Sequence, residues 1–96
     1  MAKVYLSVKI EVKEEEKETF FENLKVLHEL THKEDRGCLQ YELFENREAK
    51  NTYHLLETWE DEASLEEHKE KEHYLKFLSE NENKILNVQV DILNKL

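Results

Sequence analysis

Leu39-Gln40-Tyr41-Glu42-Leu43, a polar stretch from Asn46 to Asn51, and then Thr52-Tyr53-His54-Leu55-Leu56-Glu57-Thr58-Trp59 decide the fold. In the second run Tyr53, Leu55, Glu57 and Trp59 share one face and Thr52, His54, Leu56 and Thr58 the other, the period-two pattern of a strand with unlike faces. Two such strands joined by a short polar loop read as a hairpin. Outward on the N-terminal side, Phe20, Leu24, Leu27 and Thr31 recur at helical spacing after the charged run Lys13 to Glu18, so one stripe of a helix faces a core. Gly37 stands where that helix must turn back into the hairpin. On the other side Asp61 reads as a helix N-cap with Ser64 at its third position, opening a helical region to about Leu86. The region changes phase: on one continuous helix His68 and Tyr74 lie about 120° apart, and a break near Glu70 to Glu72 is what brings their faces together. Outermost, Val4, Leu6, Val8, Ile10 and Val12 alternate with polar neighbours, as do Val88, Val90 and Ile92.

The order is β-α-β-β-α-β, so the fold class is α+β, ferredoxin-like: a four-stranded antiparallel sheet with helices on one face, one domain spanning residues 1–96. The opposite sheet face carries Tyr5, Phe44 and Leu56 and predicts a homodimer with its sheets face to face.

Composition narrows the function. Fourteen Lys plus Arg against 23 Asp plus Glu give a formal charge of −9, which repels phosphate backbones, and basic clusters with interleaved aromatics are missing, so neither nucleic acid nor an anionic membrane is expected as partner. No apolar run approaches about 18 residues and no signal peptide is evident, so a cytoplasmic address is expected. One glycine excludes G-x-G-x-x-G and P-loop nucleotide sites; one cysteine, Cys38, excludes an internal disulfide and multi-thiolate metal sites. Cys38 lacks an adjacent basic group and reads as a packed thiol.

His28-Glu29-Leu30-Thr31-His32 matches H-E-x-x-H, a zinc-binding pattern. With Phe20 at zero, His28 and His32 fall at the edge of the apolar stripe and Glu29 points to solvent, and Gly37 ends the helix before further ligands; no metal is expected there, and His28 is placed at a pocket mouth. Glu57, between Leu55 and Trp59 on an inward strand face, needs a partner if buried and is a functional-site hint; its plainer reading is an interior ion pair. His68, on a helix face beside Leu65, is on its own a packing residue.

Gly37-Cys38-Leu39-Gln40-Tyr41-Glu42-Leu43, Tyr53-His54-Leu55-Leu56-Glu57-Thr58-Trp59-Glu60-Asp61, Ser64-Leu65-Glu66-Glu67-His68 and Glu72-His73-Tyr74 together resemble the antibiotic biosynthesis monooxygenase (ABM) domain family. The resemblance implies a dimeric α+β barrel of ferredoxin-like protomers with a pocket between helices and sheet. Members include cofactor-independent oxygenases of polycyclic phenols, quinol monooxygenases, an isomerase of the phosphorylated autoinducer-2 signal and haem-degrading enzymes, so fold alone leaves the chemistry open. Glu57 and Trp59 match the family's E-x-W strand, His68 its helix histidine, and His73 and Tyr74 the pair after the break. The haem-degrading branch fits poorly: it has Trp where this chain has His68 and a haem-ligating His where this chain has Leu78.

Oxygenation without metal or flavin requires an electron-rich phenol or quinol, a base to remove its proton, and a dry site for the anion beside O₂. The resemblance therefore implies no cofactor, with His68 as base, Glu57 orienting or charge-stabilising its imidazole, Trp59 as a flat wall, and Leu65, His73, Tyr74 and His28 around a small aromatic substrate. The same groups suit an isomerase or lyase of a small carbonyl compound, and a non-catalytic dimeric ligand-binding or stress protein is the third reading.

Overall fold

The computed structural model describes residues 2–96. Its elements are β1 (Val4–Val12), α1 (Lys17–Glu34, preceded by a 3₁₀ turn at Glu14–Glu16), β2 (Cys38–Glu45), β3 (Thr52–Trp59), α2 (Glu62–Glu70), α3 (Glu72–Asn81) and β4 (Ile85–Leu93). The strands form one sheet in the order β2-β3-β1-β4, antiparallel at every pairing. This is the ferredoxin-like α+β fold read from the sequence, with its second helix in two pieces.

Register explains the core. Leu6 lies opposite Glu57 and Ile92, Val8 opposite Leu55 and Val90, and Ile10 opposite Tyr53 and Val88, so the inward side chains of neighbouring strands form continuous rows. Phe20, Leu24 and Leu27 of α1, Leu65 of α2 and Phe77 of α3 cover those rows. The stripe predicted for α1 is the set it buries, Thr31 included. Asn81 ties the two helical arms together: its Nδ2 donates to the Phe77 carbonyl at 2.7 Å, and its Oδ1 accepts from Asn23 Nδ2 at 3.0 Å.

One boundary moves from its expected place. The helical region ends at Asn81, and Ile85 and Leu86 open β4. Ile85 fits the helical spacing through Asn81, but pairing opposite Val12, with the Lys13 N–H donating to the Lys84 carbonyl at 2.9 Å, fixes it in the sheet. Leu39 is on the surface because the ladder slips between Cys38 and Gln40, leaving Cys38 opposite Trp59. Gly37 does not adopt a left-handed backbone; a Cβ there would stand 2.3 Å from the Ser64 Cβ, so the turn passes too close to α2 for any side chain.

The expected break falls at Lys71, whose ψ of 147° is extended. Its N–H closes α2 on the His68 carbonyl and its carbonyl starts α3 by accepting from Tyr74 and Leu75, each at 3.1 Å. On the sheet's outer face Phe44 and Leu56 are exposed and Tyr5 is half-buried. On the inner face the helices stop short of the edge strand, leaving Val88, Val90 and Ile92 of β4 exposed. Among the described residues no helix is long and apolar enough to cross a membrane.

Candidate active site

The site is assembled around His68. Asp61 caps α2 by accepting from the Ser64 N–H at 2.8 Å, and the helix thus started turns Leu65 and His68 inward. The change of direction at Lys71 then folds α3 back so that Tyr74 and His73 stand beside the imidazole, with ring centroids 4.9 and 5.9 Å away. Trp59 underlies it at 4.6 Å and Tyr41 flanks it at 5.7 Å. His68 is itself buried.

The imidazole's partner is Asp35, which closes α1. Its backbone leaves the helix in an extended conformation while its N–H still donates to the Thr31 carbonyl, turning the carboxylate inward. Oδ2 lies 2.6 Å from His68 Nδ1 and 3.0 Å from His73 Nε2. A carboxylate only accepts, so both nitrogens carry their protons, and the lone pair of His68 sits on Nε2. Oδ1 is buried, accepts no hydrogen bond among the described residues, and lies 3.7 Å from Lys71 Nζ.

Between the inner sheet face and α2–α3 lies a cavity of about 420 Å³. Leu6, Val8, Leu55, Leu65, Tyr74 and Phe77 give it an apolar wall into which His68 and Glu57 bring the acid–base chemistry. Its open side is the β4 edge at Val88, Val90 and Ile92. The size and lining suit a small organic ligand, with few polar groups to orient it.

Electrostatics divides the roles. Burial holds the His68 imidazole below its ordinary pKa and outweighs the Asp35 carboxylate, which acts the other way, so the ring is neutral and able to accept a proton at neutral pH. Burial pushes the Glu57 carboxyl up, opposed by the Trp59 Nε1–H, which donates to Oε1 at 2.9 Å, and by the Lys69 ammonium. Burial also raises Tyr41 and Tyr74, whose hydroxyls therefore remain protonated donors. The Cys38 thiol is pushed up to about 11, chiefly by burial, which makes it a poor nucleophile.

Of the residues singled out from the sequence, His68, Glu57, Leu65 and Tyr74 line the cavity. Three take other places. Trp59 is fully buried behind His68 and is a support for the imidazole, not a cavity wall. His73 holds Asp35 from the far side. His28 packs against His32 and Tyr41 on the β2 side of α1 and does not reach the cavity. The expected Glu57–His68 pairing is replaced by Asp35–His68, because Glu57 is engaged by the indole N–H. Asp35 lies outside the set that sequence patterns single out. One signal for it exists: an acid at a helix C-terminus opposes the helix dipole, so Asp35 sits where an acid needs some other partner.

A ferredoxin-like α+β chain with a histidine-bearing apolar cavity under its helices defines a class, and comparison with known proteins gives the family. The antibiotic biosynthesis monooxygenase family model matches residues 3–80. The chain belongs to that family. It is 32% identical over 90 residues, 94% of this chain and 93% of its relative, to the Bacillus subtilis protein named "Putative monooxygenase YcnE". Among solved structures it is similar to PA3566 from Pseudomonas aeruginosa, with 31% identity, a TM-score of 0.92, and coverage of 100% of this chain and 96% of the other. A conserved protein from Methanosarcina mazei superposes with a TM-score of 0.90 at 26% identity, covering 100% and 95%. Family and named relative support a monooxygenase-like function.

Proposed function

We propose that the protein is a monooxygenase that oxidises a quinol or related small aromatic compound in the cavity under α2 and α3, with His68 as the base. The observation that carries this reading is the position of His68: it lines an apolar cavity while a buried carboxylate fixes its Nδ1–H, which leaves the Nε2 lone pair for a substrate hydroxyl. Proton transfer from a quinol hydroxyl to Nε2 produces an electron-rich phenolate, and the apolar walls keep water from it while it meets O₂. The imidazolium so formed is stabilised by Asp35, 2.6 Å away. Glu57, with its carboxyl protonated over an extended pH range, offers a hydrogen bond to a second substrate oxygen. In this reading the substrate supplies the electrons and no metal or flavin takes part in the reaction. The working unit is a homodimer, joined through the sheet face that carries Phe44 and Leu56.

Oxygen consumption with a panel of quinols, measured on metal-free protein, tests the reading. At least one quinol should be consumed with stoichiometric O₂ uptake. Turnover that continues unchanged under anaerobic conditions would instead mark an isomerase.

A further inference from the structure

The cluster that orients His68 has a second capability. Asp35, His68 and His73 present one carboxylate oxygen and two imidazole nitrogens, all within 4.8 Å of one another. We propose that these three residues form a binding site for a divalent first-row transition-metal ion of the zinc type, separate from the substrate cavity's apolar walls. The donor set alone points to this site, independently of any oxygenase chemistry in the cavity.

Three observations support it. The donor types are those that zinc and its neighbours prefer, two imidazoles and a carboxylate. The spacing is close to what coordination needs: ligand atoms about 2.0–2.2 Å from a tetrahedral ion stand roughly 3.3–3.6 Å apart, and here the carboxylate oxygen is 2.6 and 3.0 Å from the two nitrogens. Admitting the ion would require the carboxylate oxygen to separate from the two nitrogens by roughly 0.3–1 Å. Finally, Asp35 is incompletely satisfied, with side chains only 2%, 2% and 6% exposed at Asp35, His68 and His73, and with Oδ1 lacking any hydrogen bond among the described residues. The oxygen nearest both imidazoles is Oδ2; a buried Oδ1 without a donor is an expensive feature, which a cation gripped by both carboxylate oxygens would satisfy. A polar cavity of about 240 Å³, lined by Asp35, His68, Ser64 and Glu67, gives the ion an approach and room for a water as fourth ligand.

Lys71 is the built-in competitor. Its ammonium lies 3.7 Å from Asp35 Oδ1 and 3.3 Å from the Glu34 carbonyl, on a side chain one-third exposed that can swing out. Metal binding would take the Nδ1 lone pair of His68 and move the ring proton to Nε2, so an occupied site should also silence a base acting through Nε2.

Titration of the chelator-treated full chain with Zn²⁺ by calorimetry, and with Co²⁺ by visible absorption, tests the site without reference to turnover. We expect one ion per chain, a rise in melting temperature, and an affinity reduced at least tenfold in His73→Ala and Asp35→Asn. Lys71→Met, which removes the competing cation and leaves every ligand in place, should bind more tightly. The double variant His28→Ala/His32→Ala should bind as the wild type does. Absence of binding at 100-fold excess metal in both the wild type and Lys71→Met would overturn the proposal. Binding that survives His73→Ala but is lost in the His28/His32 variant would overturn it equally, by moving the metal to the H-E-x-x-H helix.

Discussion

Replacing Gly37 with Ala should destabilise the fold in proportion to a measurable clash. The added Cβ would lie 2.1 Å from Ser64 Oγ and 2.3 Å from Ser64 Cβ, where ordinary carbon contacts lie near 3.5–4.0 Å. Rotating the hydroxyl relieves the first contact but not the second, because Cβ is fixed to the α2 backbone. The turn or the helix must therefore move by roughly 1 Å, and overpacking of this kind costs about 1–3 kcal/mol. The backbone at Gly37 is not left-handed, so Ala adds no dihedral strain and returns about 0.4–1 kcal/mol by restricting the unfolded chain. A net loss of about 1–2 kcal/mol lowers the melting temperature of a domain of this size by roughly 4–16 °C. Calorimetric melting of wild type, Gly37→Ala, Ser64→Gly and the double variant reads the coupling directly. Ser64→Gly alone costs about 0.5 kcal/mol of helix propensity, but combined with Gly37→Ala it should recover most of the clash energy. A Gly37→Ala protein as stable as wild type, or a double variant showing simple additivity, would refute the close-approach explanation.

Asp35→Asn should lower the His68 pKa further below its ordinary value, because it removes the carboxylate that counteracts burial, and a shift to higher pKa in an NMR titration would contradict the assigned pairing. The same variant loses charge-assisted bonds to two imidazoles and should cost about 2–3 kcal/mol in denaturant unfolding. His68 has a folded-state pKa below 6.5, so the unfolded chain binds the proton first as pH falls; stability should drop below pH 6.5 in wild type and less steeply in His68→Gln. Glu57 acts in the opposite sense: its raised folded value means stability is lost as pH climbs from 4.5 through that value, and Glu57→Gln should remove this loss. In analytical ultracentrifugation the chain should sediment at twice 11.7 kDa at micromolar concentration, and Leu56→Lys with Phe44→Asp should return it to the single-chain mass.

The fold was legible because its signals are local and mutually consistent. The alternation in β1 and β3 and the stripe Phe20, Leu24, Leu27, Thr31 each name a buried face, and the phase slip between His68 and Tyr74 announces the bend at Lys71 without any Gly or Pro. What failed was set by pairing across the chain. Ile85 leaves the helical pattern because β1 offers it a partner. The site was half legible for the same reason. His68, Glu57, Leu65 and Tyr74 follow from which face of each element points inward, whereas Asp35 reaches His68 across 33 positions of sequence. Glu57 and Trp59, two apart on one strand face, satisfy each other, and that local bond displaced the pairing with His68 expected for Glu57.

In the proposed reaction His68, held by Asp35, is the base in an apolar cavity. This role is tested most directly by the pH dependence of O₂ uptake with the best quinol, in wild type and His68→Ala. The wild-type rate should rise with pH through a midpoint below 6.5, and His68→Ala should lose about 10²–10⁴-fold with that limb abolished. A His68→Ala protein that consumes O₂ at the wild-type rate, with the same pH profile, would contradict it.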